Sequence, residues 1–231
     1  YVPVIRSHLE RRGYAGAGIE PGLTSSSLRV RYPHAGAPLV SIIIPTKDQL
    51  HLLQTCVESI LEKTAYPNYE ILVVDNNSET PEARAWLDGL NSMGLPNLRV
   101  LRYPKPFNFS AINNFAVTQS RGDYVLLLNN DTGIIKEDWL DALMNHAQRP
   151  EVGIVGAKLL FPNGKVQHAG VVVGMRGPAE HICIDAEAND PGYMNRLMVD
   201  QNYSAVTGAC MLVRKSVYEQ VGGLDEEAFA V

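Results

Sequence analysis

The chain holds no run approaching the roughly 20 consecutive apolar residues of a membrane span, so the sequence offers no spanning helix. Tyr1 to Ile5 lack the ordered charged and apolar regions of a secretory signal peptide. Cysteine is scarce: Cys56, Cys183 and Cys210 are three and widely spaced, which indicates neither a disulfide framework nor a zinc site. Cys56 falls in a helical pattern and Cys210 in an apolar strand pattern, where each reads as a small buried hydrophobe. A reducing, cytoplasmic setting fits this usage, with the inner face of the membrane as the alternative. Positive charge is not in excess: the net charge of -5 argues against a nucleic-acid partner, which would want a basic face. No tandem repeat or low-complexity block is present. No Gly-rich phosphate loop follows the first buried strand either. The residues after Ile44 are Pro45-Thr46-Lys47-Asp48, unlike a dinucleotide fingerprint or a P-loop. No Ser, Cys or His carries a nucleophile motif, so covalent catalysis is not expected.

What is present is an ordinary globular composition, 45% hydrophobic and 19% charged over 231 residues, enough for one large α/β domain or two small ones. The most informative stretch is Gly122 to Thr132. Val125 to Leu128 form an apolar run suited to a strand covered on both faces, and it stops at Asn129-Asn130-Asp131. Ile71 to Val74, followed by Asp75-Asn76-Asn77-Ser78, has the same grammar. Either run alone is equally a strand-to-turn transition, since Asn and Asp favour turns. Together they point to one polar site at the carboxyl edge of one sheet, where ligands gather in open α/β folds.

Along the chain, residues 1–38 are rich in Gly, Pro and Ser. They read as a lead-in or linker from a longer protein, with a short basic helix over Arg6 to Arg12. Residues 39–231 read as one α/β domain. Leu39 to Ile44 is a buried strand stopped by Pro45, and Asp48 to Thr64 has the apolar period of a helix. Tyr69 to Val74 is a strand and Thr80 to Leu90 a helix with Pro81 in its first turn. Leu98 to Leu101 is a strand, Ser110 to Ser120 a helix, Asp123 to Leu128 a strand and Glu137 to Gln148 a helix. This alternation predicts a mostly parallel sheet with right-handed crossovers. Beyond residue 150 the pattern changes to short strands at 152–156, 158–161 and 170–174. Then come an apolar strand over Ala205 to Val213, a helix over Lys215 to Val221 and Gly222-Gly223-Leu224-Asp225. This half reads as a mixed-sheet extension of the first.

Without a phosphate loop, a phosphorylated ligand needs another counter-charge, and a divalent cation is the obvious one. Magnesium and manganese often take only one or two carboxylates, with phosphate and water completing the shell. Asp131 is the best ligand on offer. Asp75 could accept hydrogen bonds from a base or a ribose, or could merely cap a turn. Asn108, Asn113 and Asn114 surround the start of a helix, where they either line the cleft or make local caps. His168 and His181 match no metal spacing, and His181 reads as structural.

These blocks, in this order, resemble family 2 inverting glycosyltransferases of the GT-A fold: Val40 to Thr46, Tyr69 to Ser78, Arg121 to Thr132 and Thr207 to Asp225. Phe107-Asn108-Phe109-Ser110-Ala111-Ile112-Asn113-Asn114 and Gln167-His168-Ala169-Gly170 are most similar to the bacterial rhamnosyltransferase-type branch. The resemblance implies transfer of a sugar, with inversion, from a UDP- or dTDP-linked donor to a saccharide or lipid-linked saccharide, in cell-surface polysaccharide synthesis. Thr46, Asp48 and Asp75 fall at nucleoside-binding positions, with Asn77, Asn108, Asn113 and Asn130 as further nucleotide contacts. Asn129-Asn130-Asp131 stands at the D-x-D site, its first Asp replaced by Asn129, which leaves Asp131 to hold manganese or magnesium. Gly208 and Asp225 border the acceptor side, with His168 as a further acceptor-side candidate. The family's base-bearing acidic motif would follow the last matching segment. The expectation is a base beyond Val231 and a truncated enzyme, with Asp225 only a weak substitute. Two other readings remain open: a nucleotide-sugar-binding module without turnover, and a sugar nucleotidyltransferase, whose Gly- and Arg-rich loop Pro45 to Asp48 does not match.

Overall fold

The computed structural model describes residues 1–229. It opens with helix α1 (Val2–Arg11) and an antiparallel hairpin of β1 (Gly18–Pro21) and β2 (Leu28–Arg31). Regular structure therefore occupies much of a stretch that the sequence presents as linker. The Leu28-Arg29-Val30-Arg31 alternation suits a half-buried strand, and Thr24 to Ser27 close the turn through hydrogen bonds on the Ser27 hydroxyl.

The alternating section follows: β3 (Val40–Thr46), α2 (Leu50–Lys63), β4 (Tyr69–Asp75), α3 (Pro81–Ser92), β5 (Leu98–Arg102), α4 (Phe109–Gln119), β6 (Tyr124–Leu128) and α5 (Trp139–Ala147). Beyond it come short strands β7 (Ile154–Gly156), β8 (Leu159–Leu160), β9 (Val166–His168), β10 (Val171–Val173) and β11 (Ala179–His181). A 3-10 turn, β12 (Cys210–Arg214) and α6 (Lys215–Gln220) complete it. Six strands make one sheet in the order β5-β4-β3-β6-β12-β7, parallel from β5 to β6, with β12 antiparallel to β6. Ile42, Ile43, Ile44, Ile71, Leu72, Leu126 and Leu127 are almost wholly buried, as strands covered on both faces require.

Pro45 does not stop β3. Pairing with β6 ends at Ile43, while pairing with β4 continues to Thr46, so the missing N–H of Pro45 falls where one side of the ladder has already closed. α2 begins at Leu50 rather than Asp48 because Asp48 and Gln49 both take left-handed backbone angles. The strand expected over Ala205 to Val213 is confined to Cys210–Arg214, with Ala205 making only an isolated bridge to Val171.

The amino ends of the parallel strands are pinned by a buried carboxylate. Glu70 Oε1 accepts from Ser41 Oγ and the Arg121 N–H, both at 2.7 Å, and Oε2 accepts from Arg99 and Arg121 guanidinium groups. Burial opposes its charge, but these donors, the Arg121 N–H foremost, hold its carboxyl below the usual range.

The chain divides into two compact units, one of Gly36–Val155 with Gly208–Val231 and one of Tyr1–Ala35 with Gly156–Thr207. Residues 1–35 and 156–207 cluster together, while β12 extends the main sheet antiparallel to β6.

Candidate active site

From β3 the sheet grows outward through β4 to β5, then β6 returns to the opposite side of β3. Adjacent parallel strands whose connections leave in opposite directions open a crevice at their carboxyl ends. Thr46 ends β3 on one wall and Asn129-Asn130-Asp131 follow β6 on the other. The Asn130 amide donates to Thr46 Oγ1 at 3.0 Å across the switch point. Thr46 is buried, so this bond fixes the crevice floor.

The backbone after β6 is held on both sides. Asn129 N–H donates to the Ala209 carbonyl at 3.0 Å, and its own carbonyl accepts from Thr132 Oγ1 at 2.7 Å. The Cys56 thiol also approaches that carbonyl, at 3.7 Å. Burial first, with the Asp131 charge adding to it, pushes this thiol up to about 11, so it stays protonated and is no nucleophile. Asp131 itself is exposed, and among the described residues no hydrogen bond or salt bridge engages its carboxylate. Also among the described residues, no three His, Cys, Asp or Glu side chains converge to hold an ion by themselves.

The other two acids are engaged. Asp75 is 5% exposed; its Oδ1 accepts from Ser78 N–H and Oγ, and its Oδ2 meets Arg102 Nη1 at 2.6 Å. The parallel register sets Asp75 opposite Arg102, and Arg102 also reaches Asp88. Asp48 Oδ1 collects the Glu79 and Thr80 N–H groups and the Thr80 hydroxyl, at 2.8–3.0 Å. The Thr80 N–H is the chief reason that the Asp48 carboxyl lies below its ordinary range. Asp48 thereby ties the β3–α2 turn to the start of α3. Asn77, at φ +58°, donates to the Lys105 carbonyl, and Asn76 donates to both Tyr103 and Lys105 carbonyls. Arg102 and Asn76 were not singled out from the sequence. Asn76 carried a signal, an Asx directly after a strand, whereas Arg102 becomes visible only once β4 and β5 are in register.

The three asparagines at the start of α4 make capping and tertiary hydrogen bonds. Asn108 caps the helix by accepting from Ala111 N–H at 2.8 Å, and its amide donates to the Glu226 carbonyl. Asn113 is fully buried with its amide on the Phe109 carbonyl, so the nucleotide contact expected of it is not available at any surface. Asn114 accepts from Tyr218 Oη at 2.6 Å and Leu224 N–H at 2.9 Å, and donates to the Leu224 carbonyl and Glu226 Oε1. The trio fastens the segment after α6 onto α4. Gly223 permits this: at φ +78° a Cβ would stand 2.6 Å from Asn114 Oδ1. Gly208 faces the Phe109 ring, 3.4 Å from where its Cβ would be. Asp225 spends one oxygen on the Glu227 and Ala228 N–H groups, which makes it a turn cap. The acidic motif expected beyond Val231 lies outside the described residues.

His168 belongs to the other unit. It is buried edge-on against His181, ring centroids 4.8 Å apart, and burial first, then its neighbour's charge, lowers it to about 4. Burial thus keeps this imidazole uncharged at neutral pH. No helix among the described residues is long and apolar enough to cross a membrane.

Comparison with known proteins gives the same picture from outside. The model of the family described as glycosyl transferase family 2 matches residues 41–222. The chain is 45% identical over 227 residues to an uncharacterized protein, y4gI, of Sinorhizobium fredii. It is 44% identical over 232 residues to the O-antigen biosynthesis protein RfbC of Myxococcus xanthus. These alignments take in 98% and 97% of the chain but only 25% and 17% of those proteins, so the chain spans a quarter or less of their length. Among solved structures it is similar to the mannosyltransferase PcManGT of Pyrobaculum calidifontis in complex with GDP-Man and Mn2+. The TM-score is 0.62 at 18% identity, over 85% of this chain and 50% of that one. It is also similar to GalNAc-T7 with UDP, GalNAc and Mn2+, with a TM-score of 0.67 at 13% identity, over 85% of this chain and 39% of that one. The α/β architecture is that of the GT-A fold, and the chain belongs to glycosyl transferase family 2.

Proposed function

We infer that this chain carries the donor site of a glycosyltransferase that moves a sugar from a nucleoside-diphosphate carrier to an acceptor hydroxyl with inversion. The observation that carries the reading is Asp131: an exposed carboxylate with no hydrogen bond or salt bridge among the described residues, set directly after a buried strand at the switch point of the sheet. Asp75 has both carboxylate oxygens bonded and Asp48 has Oδ1 bonded three times over, whereas among the described residues the Asp131 carboxylate meets no hydrogen bond or salt bridge. A single uncommitted carboxylate fits manganese or magnesium when diphosphate oxygens and water supply the remaining positions. When bound there, the cation would supply counter-charge for the departing diphosphate. Both solved neighbours were obtained with Mn2+ and with a nucleotide or nucleotide sugar, which supports the same assignment.

Thr46 and Asn130 form the floor against which the donor lies, and Asp48, Asp75 and Asn77 stand at the nucleoside end. Asp75, already bonded to Ser78 and Arg102, would meet the imide of a uracil or thymine through a remaining lone pair, as a rigid acceptor held by Arg102. In the transfer step the acceptor oxygen bonds to the anomeric carbon. The bond from that carbon to the diphosphate breaks, the electron pair leaves with the diphosphate, and the hydroxyl proton passes to a carboxylate base. Asp225 is a poor base because one of its oxygens caps a turn. Similarity to the O-antigen biosynthesis protein supports a role in cell-surface polysaccharide synthesis, and the rhamnosyl branch is the proposed sugar class.

A thermal-shift screen of UDP, dTDP, GDP and ADP, with and without manganese, tests this. At 100 times Kd a ligand stabilises by about 2.7 kcal/mol, which amounts to ~5–10 °C for a chain of this size. A manganese-dependent shift for a pyrimidine diphosphate is the expected result. Equal, metal-independent shifts for all four would overturn the reading.

A further inference from the structure

Backbone strain among the described residues gathers in two places. Asp48, Gln49 and Asn77 have positive φ around the crevice, and Arg176, Cys183, Asp185, Met194 and Asn195 have it in the other unit. Non-glycine residues in that region are costly and persist where a fold over-determines them, often at ligand sites. Of the second group Cys183 lines a cavity of about 680 Å3, and Arg176, Met194 and Asn195 adjoin lining residues in the chain; this volume is within the ~300–1,000 Å3 range of small-molecule sites. Its walls include Val172, Met175, Ile182 and Leu197, and two tyrosines, Tyr193 and Tyr203, line it as well.

We propose that this cavity is a saccharide-binding site, sharing no residue with the donor crevice, in which a pyranose ring lies against Tyr193 and Tyr203. Three features choose a sugar over a purely apolar ligand. Tyr203 is a built element: its ring lies so close to Gly170, at φ +129°, that a Cβ there would fall 2.4 Å from Cδ2. Its hydroxyl is buried away from solvent, so Tyr203 offers the cavity its ring. The remaining polar lining is Arg196, Asn202 and Ser204, with no carboxylate, and the Asn202 and Ser204 side chains make no hydrogen bond within the protein among the described residues. An apolar chain would use none of these groups. A sugar uses them, presenting its C–H face to the aromatic rings and its hydroxyls to Arg196, Asn202 and Ser204. Tyr193 is 78% exposed, an aromatic face turned to solvent at the cavity, as a stacking platform needs.

The choice of a saccharide over other neutral polyhydroxylated ligands rests on the transferase reading, and the cavity does not. Saturation-transfer NMR with methyl α-rhamnoside, methyl α-mannoside and maltotriose tests it on the whole chain. Saturation of pyranose C–H protons is expected with the parent and with Asp131→Ala. It should be lost in Tyr193→Ala and in Asn202→Ala, both changes at exposed positions. Manganese-dependent UDP or dTDP binding should show the reverse pattern, lost in Asp131→Ala and retained in Tyr193→Ala, so failure of either proposal is visible apart from the other. Absence of saccharide saturation overturns the site, as does equal saturation in Tyr193→Ala. Binding of an apolar dye that is lost in Tyr193→Ala, without any saccharide signal, would assign the cavity to an apolar ligand and overturn it too.

Discussion

Replacing Glu70 by Gln keeps the side chain's shape and removes only its charge and one acceptor. Oε1 of Glu70 faces two donors, Ser41 Oγ and Arg121 N–H, and Oε2 faces two guanidinium groups. Whichever way the amide of Gln turns, its NH2 meets two donors and two hydrogen bonds are lost. Hydrogen bonds to charged groups contribute ~1.5–3 kcal/mol each, for a ceiling of about 3–6 kcal/mol. The amide would turn its NH2 toward the arginines, because Arg99 and Arg121 are 33% and 55% exposed and can swing into water. Discounting for that screening leaves a loss of about 2–4 kcal/mol, a large share of the ~5–15 kcal/mol that holds a domain together. Both tryptophans, Trp86 and Trp139, lie in the unit containing Glu70, so fluorescence in urea reports that unit alone. The depressed carboxyl adds a pH signature. Its contribution is fully present above the ordinary Glu value of 4.5 and is lost as pH falls below it through the folded value, so the variant and parent should converge in acid. Pyrimidine diphosphate binding should not change, since Glu70 sits at the amino ends of the strands and the crevice at their carboxyl ends. A loss below about 1 kcal/mol at pH 7, or a difference that does not shrink in acid, would refute this account of the pin.

Asp75→Asn exchanges an acceptor for a donor beside Arg102 and Ser78, and pyrimidine diphosphate affinity should weaken by about 1–3 kcal/mol in calorimetry; unchanged affinity would reduce Asp75 to a turn residue. Gly223→Ala forces a Cβ onto Asn114 at a left-handed position and should cost about 1–3 kcal/mol in the same urea assay, with faster proteolysis after Tyr218. His168 is neutral when folded because its value near 4 lies below the ordinary 6.5. Its stabilising contribution is complete above pH 6.5 and lost between 6.5 and about 4, up to ~3 kcal/mol. Hydrogen exchange over residues 166–181, corrected for intrinsic rates, should lose protection across that window in the parent and not in His168→Gln.

The strands of the main sheet were legible because their burial on both faces writes continuous apolar runs, and the end of one such run set the position of Asp131 just beyond β6. The hydrogen bond between Thr46 and Asn130 was not legible, because it depends on β3 and β6 lying side by side. For Asn108, Asn113 and Asn114 the sequence left cleft lining and local capping open, because a cap, a buried helical amide and a tertiary clamp have the same local sequence as a ligand site. Only the fold of residues 224–226 back onto α4 separates these roles. Gly and Pro density masked the β1–β2 hairpin, since turn residues read alike in linkers and in short hairpins. The grouping of residues 1–35 with 156–207 depends on contacts far apart in the chain, which no periodicity records. His168 sat in a motif that invited a functional role, yet its meaning is set by a neighbour thirteen residues away in the sequence, His181.

The central claim is that Asp131 is the protein's metal ligand at a nucleoside-diphosphate site. Calorimetric titration of UDP and dTDP into the parent and into Asp131→Ala, with and without manganese, tests it most directly. The account predicts tight binding only for the parent with manganese, with Asp131→Ala folded and indifferent to the metal. Equal manganese-dependent affinity in the two proteins would contradict it.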